Sequence, residues 1–336
     1  MWAARHVRDT GRVRLTTSEL PPAAELLAGA VVVSLPMRTR FRGITAREVM
    51  LLRGPAGWGE FAPFTEYGDA ESSAWLAAGI EAAYLGPPAP LRDRIPVNAT
   101  VPAVPADHVA AVLARYPGAT TAKVKVAEPG QSLADDVERV AAAREVVPAV
   151  RIDANGGWSV DEAVSAIAAI GDVEYVEQPC RTVEELAQVR RRVDVPIAAD
   201  ESIRKADDPM RVVAADAADI AILKIAPLGG MRAVLTLAEQ IGLPVVVSSA
   251  LDSAVGIAAG VAAAAALPEL NMACGLGTGS LFTEDVAPAF VPSGGVVGPR
   301  WFTGDDVVIP DAVRAGASRE RWWRDRLARC HAVLAG

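Results

Sequence analysis

Eight short apolar runs recur between Pro96 and Gly275 at a nearly fixed interval, and that interval constrains the fold more than any other property of the chain. The runs are PVNATV, ATTAKVKV, AVRIDAN, VEYVEQP, PIAADES, IAILKIAP, PVVVSSA and LNMACGLG. They end at Thr100, Lys125, Asp153, Glu177, Asp200, Lys224, Ser248 and Gly275, in steps of 23 to 28 residues. Helical patterns such as SLADDVERVAAAREVV, SVDEAVSAIAAI and TVEELAQVRRR fill the gaps. Alternating strands and helices imply a parallel sheet. A near-constant step of one strand plus one helix implies an α/β chain closed into a (β/α)8-type barrel with short loops. A doubly wound open sheet is the alternative. It usually carries a Gly-rich phosphate turn after its first strand, and none stands there.

The rest of the chain divides around this repeat. Residues 1–24 are polar, basic and aperiodic, and are expected to be a poorly ordered extension. Residues 25–95 hold β-rich runs (AGAVVVSLPM, REVMLLRG, GWGEFAP) and a helix over 71–85, the pattern of a small α+β capping domain. The barrel is expected over 96–290, and 291–336 as a segment packing on both units. The Ala-rich run from Ala254 to Leu267 is too short for a membrane span and reads as a packed amphipathic helix. Trp322 and Trp323, in the basic stretch near the C-terminus, are expected to pack a last helix onto the body.

Composition removes some function classes. The 336 residues carry 41 acidic and 33 basic side chains, a net charge of −8. That balance speaks against a nucleic-acid partner, which needs a basic stripe. Cys180, Cys274 and Cys330 are far apart and lack metal-ligand spacing. With no leader peptide visible, they read as free thiols of a cytoplasmic enzyme. A small carboxylate is the expected partner, with no membrane, and the oligomeric state is left open.

The ends of the runs carry the chemistry. Lys123 and Lys125 form K-x-K, and residues two apart on a strand share a face. Asp153, Glu177 and Asp200 end three successive runs, so their carboxylates can converge at the C-terminal mouth, where barrels of this kind keep their catalytic groups. Three oxygen ligands without His or Cys select Mg²⁺, with Mn²⁺ as the alternative. Such an ion stabilises the dianion formed when a proton leaves the carbon beside a carboxylate. Lys125 and Lys224 flank the trio, and a partly desolvated lysine near other cations has its pKa lowered, as a base requires. Asn155 and Glu201 are expected to support the ligands. GLGTGS (275–280) lacks the Lys-Ser/Thr of a phosphate loop and reads as a loop offering backbone N–H groups to substrate.

The series TAKVKV, RIDANGGW, VEYVEQP, PIAADES and ILKIAP resembles the enolase superfamily, specifically its lysine-based muconate-lactonizing-enzyme subgroup, and GWGEFAP resembles the end of that superfamily's capping domain. The resemblance implies Asp153, Glu177 and Asp200 as metal ligands and Lys125 and Lys224 as the acid/base pair. Lys123, Asn155 and Glu201 become supporting groups. Subgroups with a His base are disfavoured, because His6, His108 and His331 lie at no strand end. Arg151 resembles an arginine near the substrate in the branch that dehydrates 2-succinyl-6-hydroxy-2,4-cyclohexadiene-1-carboxylate in menaquinone biosynthesis, a magnesium-dependent lyase reaction. Ser248, Ser249 and Gly275 are expected to contact the substrate too, and Arg38, Arg40 or Arg42 to meet its succinyl tail. N-succinylamino-acid racemisation and dipeptide epimerisation are the alternatives within the subgroup. Asp285 is the nearest match to the acidic motif that holds an epimerase substrate's amino group. Outside the subgroup stand a Schiff-base aldolase using Lys224 and a barrel that binds an acid without turnover.

Overall fold

The computed structural model describes residues 20–205 and 208–336. Most of the expected extension lies outside the described residues. Its last five positions do not, and helix α1 (Ala23–Ala28) already begins among them at Ala23. The capping unit follows as an antiparallel sheet of β1 (Val31–Phe41), β2 (Ile44–Gly54) and β3 (Gly57–Phe61), in that order. Arg42 and Gly43 turn the β1–β2 hairpin, both with positive φ, as a tight two-residue hairpin turn requires.

Helix α2 (Asp69–Tyr84) lies against β3 so closely that both partners need glycine. A Cβ on Gly59 would sit 2.0 Å from the Gly79 carbonyl oxygen, and one on Gly79 would sit 2.7 Å from that of Glu60. Both obstacles are backbone, which cannot swing aside. Gly59→Ala is expected to destabilise the fold by about 3 kcal/mol, the range of a severe overpacking. Denaturant unfolding checks it.

The barrel begins with β4 (Ile95–Pro96) and β5 (Ala99–Val101), then α3 (Val109–Leu113), β6 (Thr121–Lys125), α4 (Leu133–Arg144), β7 (Ala149–Asp153) and α5 (Val160–Ile170). It continues through β8 (Val176–Glu177), α6 (Val183–Arg190), β9 (Ile197–Ala199), α7 (Glu201–Arg204), α8 (Arg211–Ala214), β10 (Ile220–Lys224), α9 (Ile225–Leu228), α10 (Met231–Ile241), β11 (Val245–Ser248) and α11 (Ala254–Ala266). Strands β5 to β11 form one parallel sheet in sequence order. The expected eighth strand is reduced to Cys274 and Gly275, which bridge Val97 and Ser248 and so join the two edges. Three consecutive helices, α4, α5 and α6, open with the same device. Ser132, Ser159 and Thr182 cap the third backbone N–H, while Asp135, Glu162 and Glu185 reach back to the cap residue.

The Ala-rich helix α11 differs from expectation. It is buried on nearly every side rather than amphipathic, because the capping unit's β3 covers the face that would otherwise meet water. After the barrel, β12 (Val296–Val297) pairs with β4, and α12 (Ala317–Ala335) packs on α2 and β1. Trp323 is fully buried there, edge-on to Phe61 with its indole N–H donating to Glu48 at 3.0 Å.

One polar contact between the units centres on a buried acid. Glu60 on β3 accepts from Ser253 N, Ser253 Oγ and Gly256 N at the start of α11, while Arg47 Nε donates to Leu251 O. Burial, then the neighbouring Asp252 carboxylate, push Glu60 up to about 8 from 4.5. An acid with a raised folded pKa holds its proton more tightly when folded. Its contribution to stability is therefore full below about pH 4.5 and is lost as the pH rises toward 8. The melting temperature of the Glu60→Gln variant is expected to depend less on pH between 5 and 8 than that of the natural chain.

Candidate active site

The strand registers bring the expected residues to one end of the barrel. Lys125 pairs with Asp153 and Asp153 with Glu177, and Asp200 follows directly on β9. All three carboxylates are at most 1% exposed. Lys123 Nζ donates to both oxygens of Glu177 at 2.8 Å and stands 3.2 Å from Asp153 Oδ2. Lys125 Nζ lies 2.5 Å from Asp153 Oδ2 and 2.6 Å from Asn155 Oδ1. From the other side, Lys224 Nζ reaches Asp200 Oδ2 at 2.5 Å. Asn155 also donates to Glu201 at 3.3 Å, linking the β7 and β9 ends.

Burial alone would raise the pKa of Asp153, but Lys125 and Lys123 hold it well below the ordinary carboxylate range. Lys224 and Arg204 do the same for Asp200 against its burial. Glu177 goes the other way: burial, then the adjacent Asp153 charge, push it up to about 7 despite Lys123. Lys123 stays firmly an ammonium, since Glu177 and Asp153 outweigh its desolvation. Lys125 is the lysine held below its ordinary range, by burial first and by Lys123 among its neighbours, against the pull of Asp153. A lysine lowered in this way is suited to accept a proton.

Three buried carboxylates on adjacent strands are an all-oxygen donor set of the kind that takes a hard divalent cation. Glu201 adds a buried oxygen, Oε2, with no hydrogen-bond partner. The residues therefore fit such an ion in chemistry. In position, no three acids among the described residues close on one point, because each is turned onto a cation of the chain itself.

A cleft of about 430 Å³ opens over these groups. Ser248, Ser249 and Gly275 line it, together with Thr100, Leu251 and Thr278. Ser249 and Thr278 share a hydroxyl–hydroxyl hydrogen bond of 2.6 Å. The capping unit adds Phe41 and Arg42 from the hairpin tip, with Lys125 Nζ 5.4 Å from the Phe41 ring centre. Arg38 and Arg40 are exposed and do not line the cleft.

Arg151 departs from expectation. It shares the inner face of β7 with Asp153 but sits two residues deeper, fully buried in the barrel interior. Its guanidinium bonds Glu174 at 2.6 Å and the Ala273 carbonyl at 2.6 Å, and stacks 4.6 Å from the Tyr175 ring centre. It does not line the cleft, because the Lys123, Asp153 and Glu177 layer lies above it. Asp285 is likewise committed elsewhere: both its oxygens accept from Ala254 N at the start of α11.

Two supporting residues escaped the sequence reading. Gln178, in a left-handed conformation at φ 40°, accepts from Asp200 N and Ser202 N and donates to Cys180 O and Ser202 Oγ. Removing it strands several buried groups, so Gln178→Ala is expected to destabilise the fold by about 2–3 kcal/mol in denaturant unfolding. Arg204 bonds Asp200, Glu201 and the capping unit's Tyr67. Its spacing of four from Asp200 on a helical stretch was the available signal.

A barrel with lysines on both sides of a buried carboxylate trio, capped by a small α+β unit, defines a class of metal-assisted enzymes acting beside a carboxylate. Family models agree: residues 106–300 match the enolase C-terminal domain-like family and residues 32–83 the enolase N-terminal domain-like family. The chain belongs to the enolase superfamily, whose enzymes use a divalent metal ion. Its curated relatives include the o-succinylbenzoate synthase of Mycobacterium tuberculosis, 64% identical over 94% of this chain and 97% of that one. That of Mycolicibacterium smegmatis is 61% identical over 95% of this chain and all of its own length. Among solved structures, muconate lactonizing enzyme from Pseudomonas fluorescens superposes with a TM-score of 0.71 at 21% identity, covering 84% of this chain and 96% of that one. At that identity the likeness concerns the fold.

Proposed function

We propose that the chain is an o-succinylbenzoate synthase, a hydro-lyase that converts 2-succinyl-6-hydroxy-2,4-cyclohexadiene-1-carboxylate to o-succinylbenzoate and water in the cytoplasm. The observation that carries this reading is the near full-length identity of 61–64% to relatives of that name. The paired lysines of the cleft supply chemistry to match.

In this reading Asp153, Glu177 and Asp200 would hold Mg²⁺, which would supply positive charge beside the substrate carboxylate. Lys125, with its lowered pKa, takes the proton from the adjacent carbon. The same ammonium then returns a proton to the departing hydroxyl on the same face, a syn elimination that leaves an aromatic ring and water. Lys224 stays cationic, its charge facing the enediolate from the opposite side. Lys123, buried between Glu177 and Asp153, keeps two acids from repelling each other. Ser248, Ser249 and Gly275 face the substrate body, and Arg42 faces the succinyl carboxylate from the hairpin tip.

Metal removal tests the reading. Dialysis against EDTA is expected to abolish turnover and Mg²⁺ to restore it, with Mn²⁺ also active. Activity that survives EDTA, together with borohydride trapping of Lys224 on a carbonyl substrate, would replace it with Schiff-base chemistry.

A further inference from the structure

Behind the K-x-K strand lies an ion pair that none of the steps above uses. Asp136 and Arg139, one turn apart on α4, are 3% and 1% exposed and bonded at 2.8 Å. Arg139 Nη1 also donates to the backbone carbonyl of Lys125 at 2.9 Å. Its Nε donates to Val104 O at 2.6 Å, and its Nη2 to the Gln131 side-chain oxygen. The second oxygen of Asp136 accepts from Ala127 N at 2.9 Å, and Ala127 is a non-glycine residue at φ 58°. Gln131 in turn donates to Ala103 O at 2.9 Å. One buried pair therefore holds the carbonyl of Lys125, the amide two residues on, and the loop that follows β5.

Stability is a poor reason for such a pair, because well-packed apolar residues of the same volume often do as well. Its distinctive property is direction. A planar guanidinium with each nitrogen engaged fixes its acceptors in place, and the left-handed Ala127 needs a partner to hold it. The backbone so fixed is the base from which Lys125 reaches Asp153 and the cleft. Lys224, on β10 across the barrel, makes no contact with the pair.

We infer that Arg139, oriented by Asp136, is a positioning residue for Lys125, setting the place of that ammonium rather than touching substrate. This rests on the assignment of Lys125 as the base. A misplacement of about 1 Å at a reacting group costs on the order of 100-fold in rate.

The test uses the full chain and the variants Arg139→Gln, Arg139→Lys and Asp136→Asn, with two readouts. In steady-state assays kcat is expected to fall by about 10- to 100-fold in Arg139→Gln with KM changed less than about 2-fold, and to recover partly in Arg139→Lys. In reductive methylation with formaldehyde and cyanoborohydride, followed by peptide mass spectrometry, the labelling rate of Lys125 is expected to change severalfold while that of Lys224 does not. The labelling needs no substrate, so it decides the positioning role even if the natural chain fails to dehydrate the cyclohexadiene acid, a failure that would count against the proposed function alone. Equal changes at both lysines, or variants that are less heat-stable yet keep kcat within about 2-fold, overturn the inference. Should Arg139→Gln fail to fold, Arg139→Lys and Asp136→Asn carry the same comparison.

Discussion

Lys125→Ala is expected to lower kcat by about 10²- to 10⁴-fold, the contribution of a well-placed general acid–base group. The protein should remain folded. Asp153 loses one ammonium at 2.5 Å but keeps Lys123 at 3.2 Å, so its buried charge is still compensated. Titration calorimetry with Mg²⁺ should give an affinity within a few-fold of the natural chain, since the three carboxylates are unchanged. A variant that kept near-full turnover would show that another group takes the proton.

Asp200→Ala is expected to be as damaging by a different route. Asp200 is fully buried and bonded to Lys224 at 2.5 Å and Arg204 at 3.1 Å. Its removal takes the bonded carboxylate from the buried Lys224 and leaves Arg204 with Glu201 and Tyr67, and breaking a buried pair in this way costs about 3–5 kcal/mol. It also deletes one of three acids available to a divalent ion. Denaturant unfolding should show the stability loss, and turnover should fall to background even with excess Mg²⁺. Asp200→Asn keeps the shape but, with a single acceptor oxygen, only one of the two side-chain hydrogen bonds, so it should recover part of the stability without activity. If Asp200→Asn turned over substrate near the natural rate, Asp200 would have no part in holding a metal.

The strand ends were the most legible part of the fold. Lys125, Asp153, Glu177, Lys224 and Ser248 each close a strand at the residue where the apolar run ends, because the change from apolar to polar or charged marks the point where the chain leaves the sheet. Depth was harder to read. A period of two places Arg151 and Asp153 on one face, yet it does not say which layer of the barrel opens to the cleft, and Arg151 is one layer too deep. Helix α11 looked amphipathic only because the capping strand that covers it lies nearly two hundred residues earlier. Gln178, Arg139 and Arg204 were missed for a related reason. Each acts largely through bonds to groups brought close by the fold, such as Arg204 to the Tyr67 hydroxyl, and a local spacing such as that of Arg204 four residues after Asp200 encodes only part of the role. The paired state of the carboxylates was hidden as well, because the sequence places acids at strand ends without saying which way each turns.

The most direct test of the central claim is the rate at which the purified, Mg²⁺-loaded protein consumes 2-succinyl-6-hydroxy-2,4-cyclohexadiene-1-carboxylate, measured beside α-proton exchange of N-succinyl amino acids in D₂O. Rapid conversion of the cyclohexadiene acid to o-succinylbenzoate is expected, lost in Lys125→Ala and in EDTA. No acceleration of that dehydration, with brisk exchange of the amino-acid substrates instead, would contradict it and make the two lysines a racemase pair.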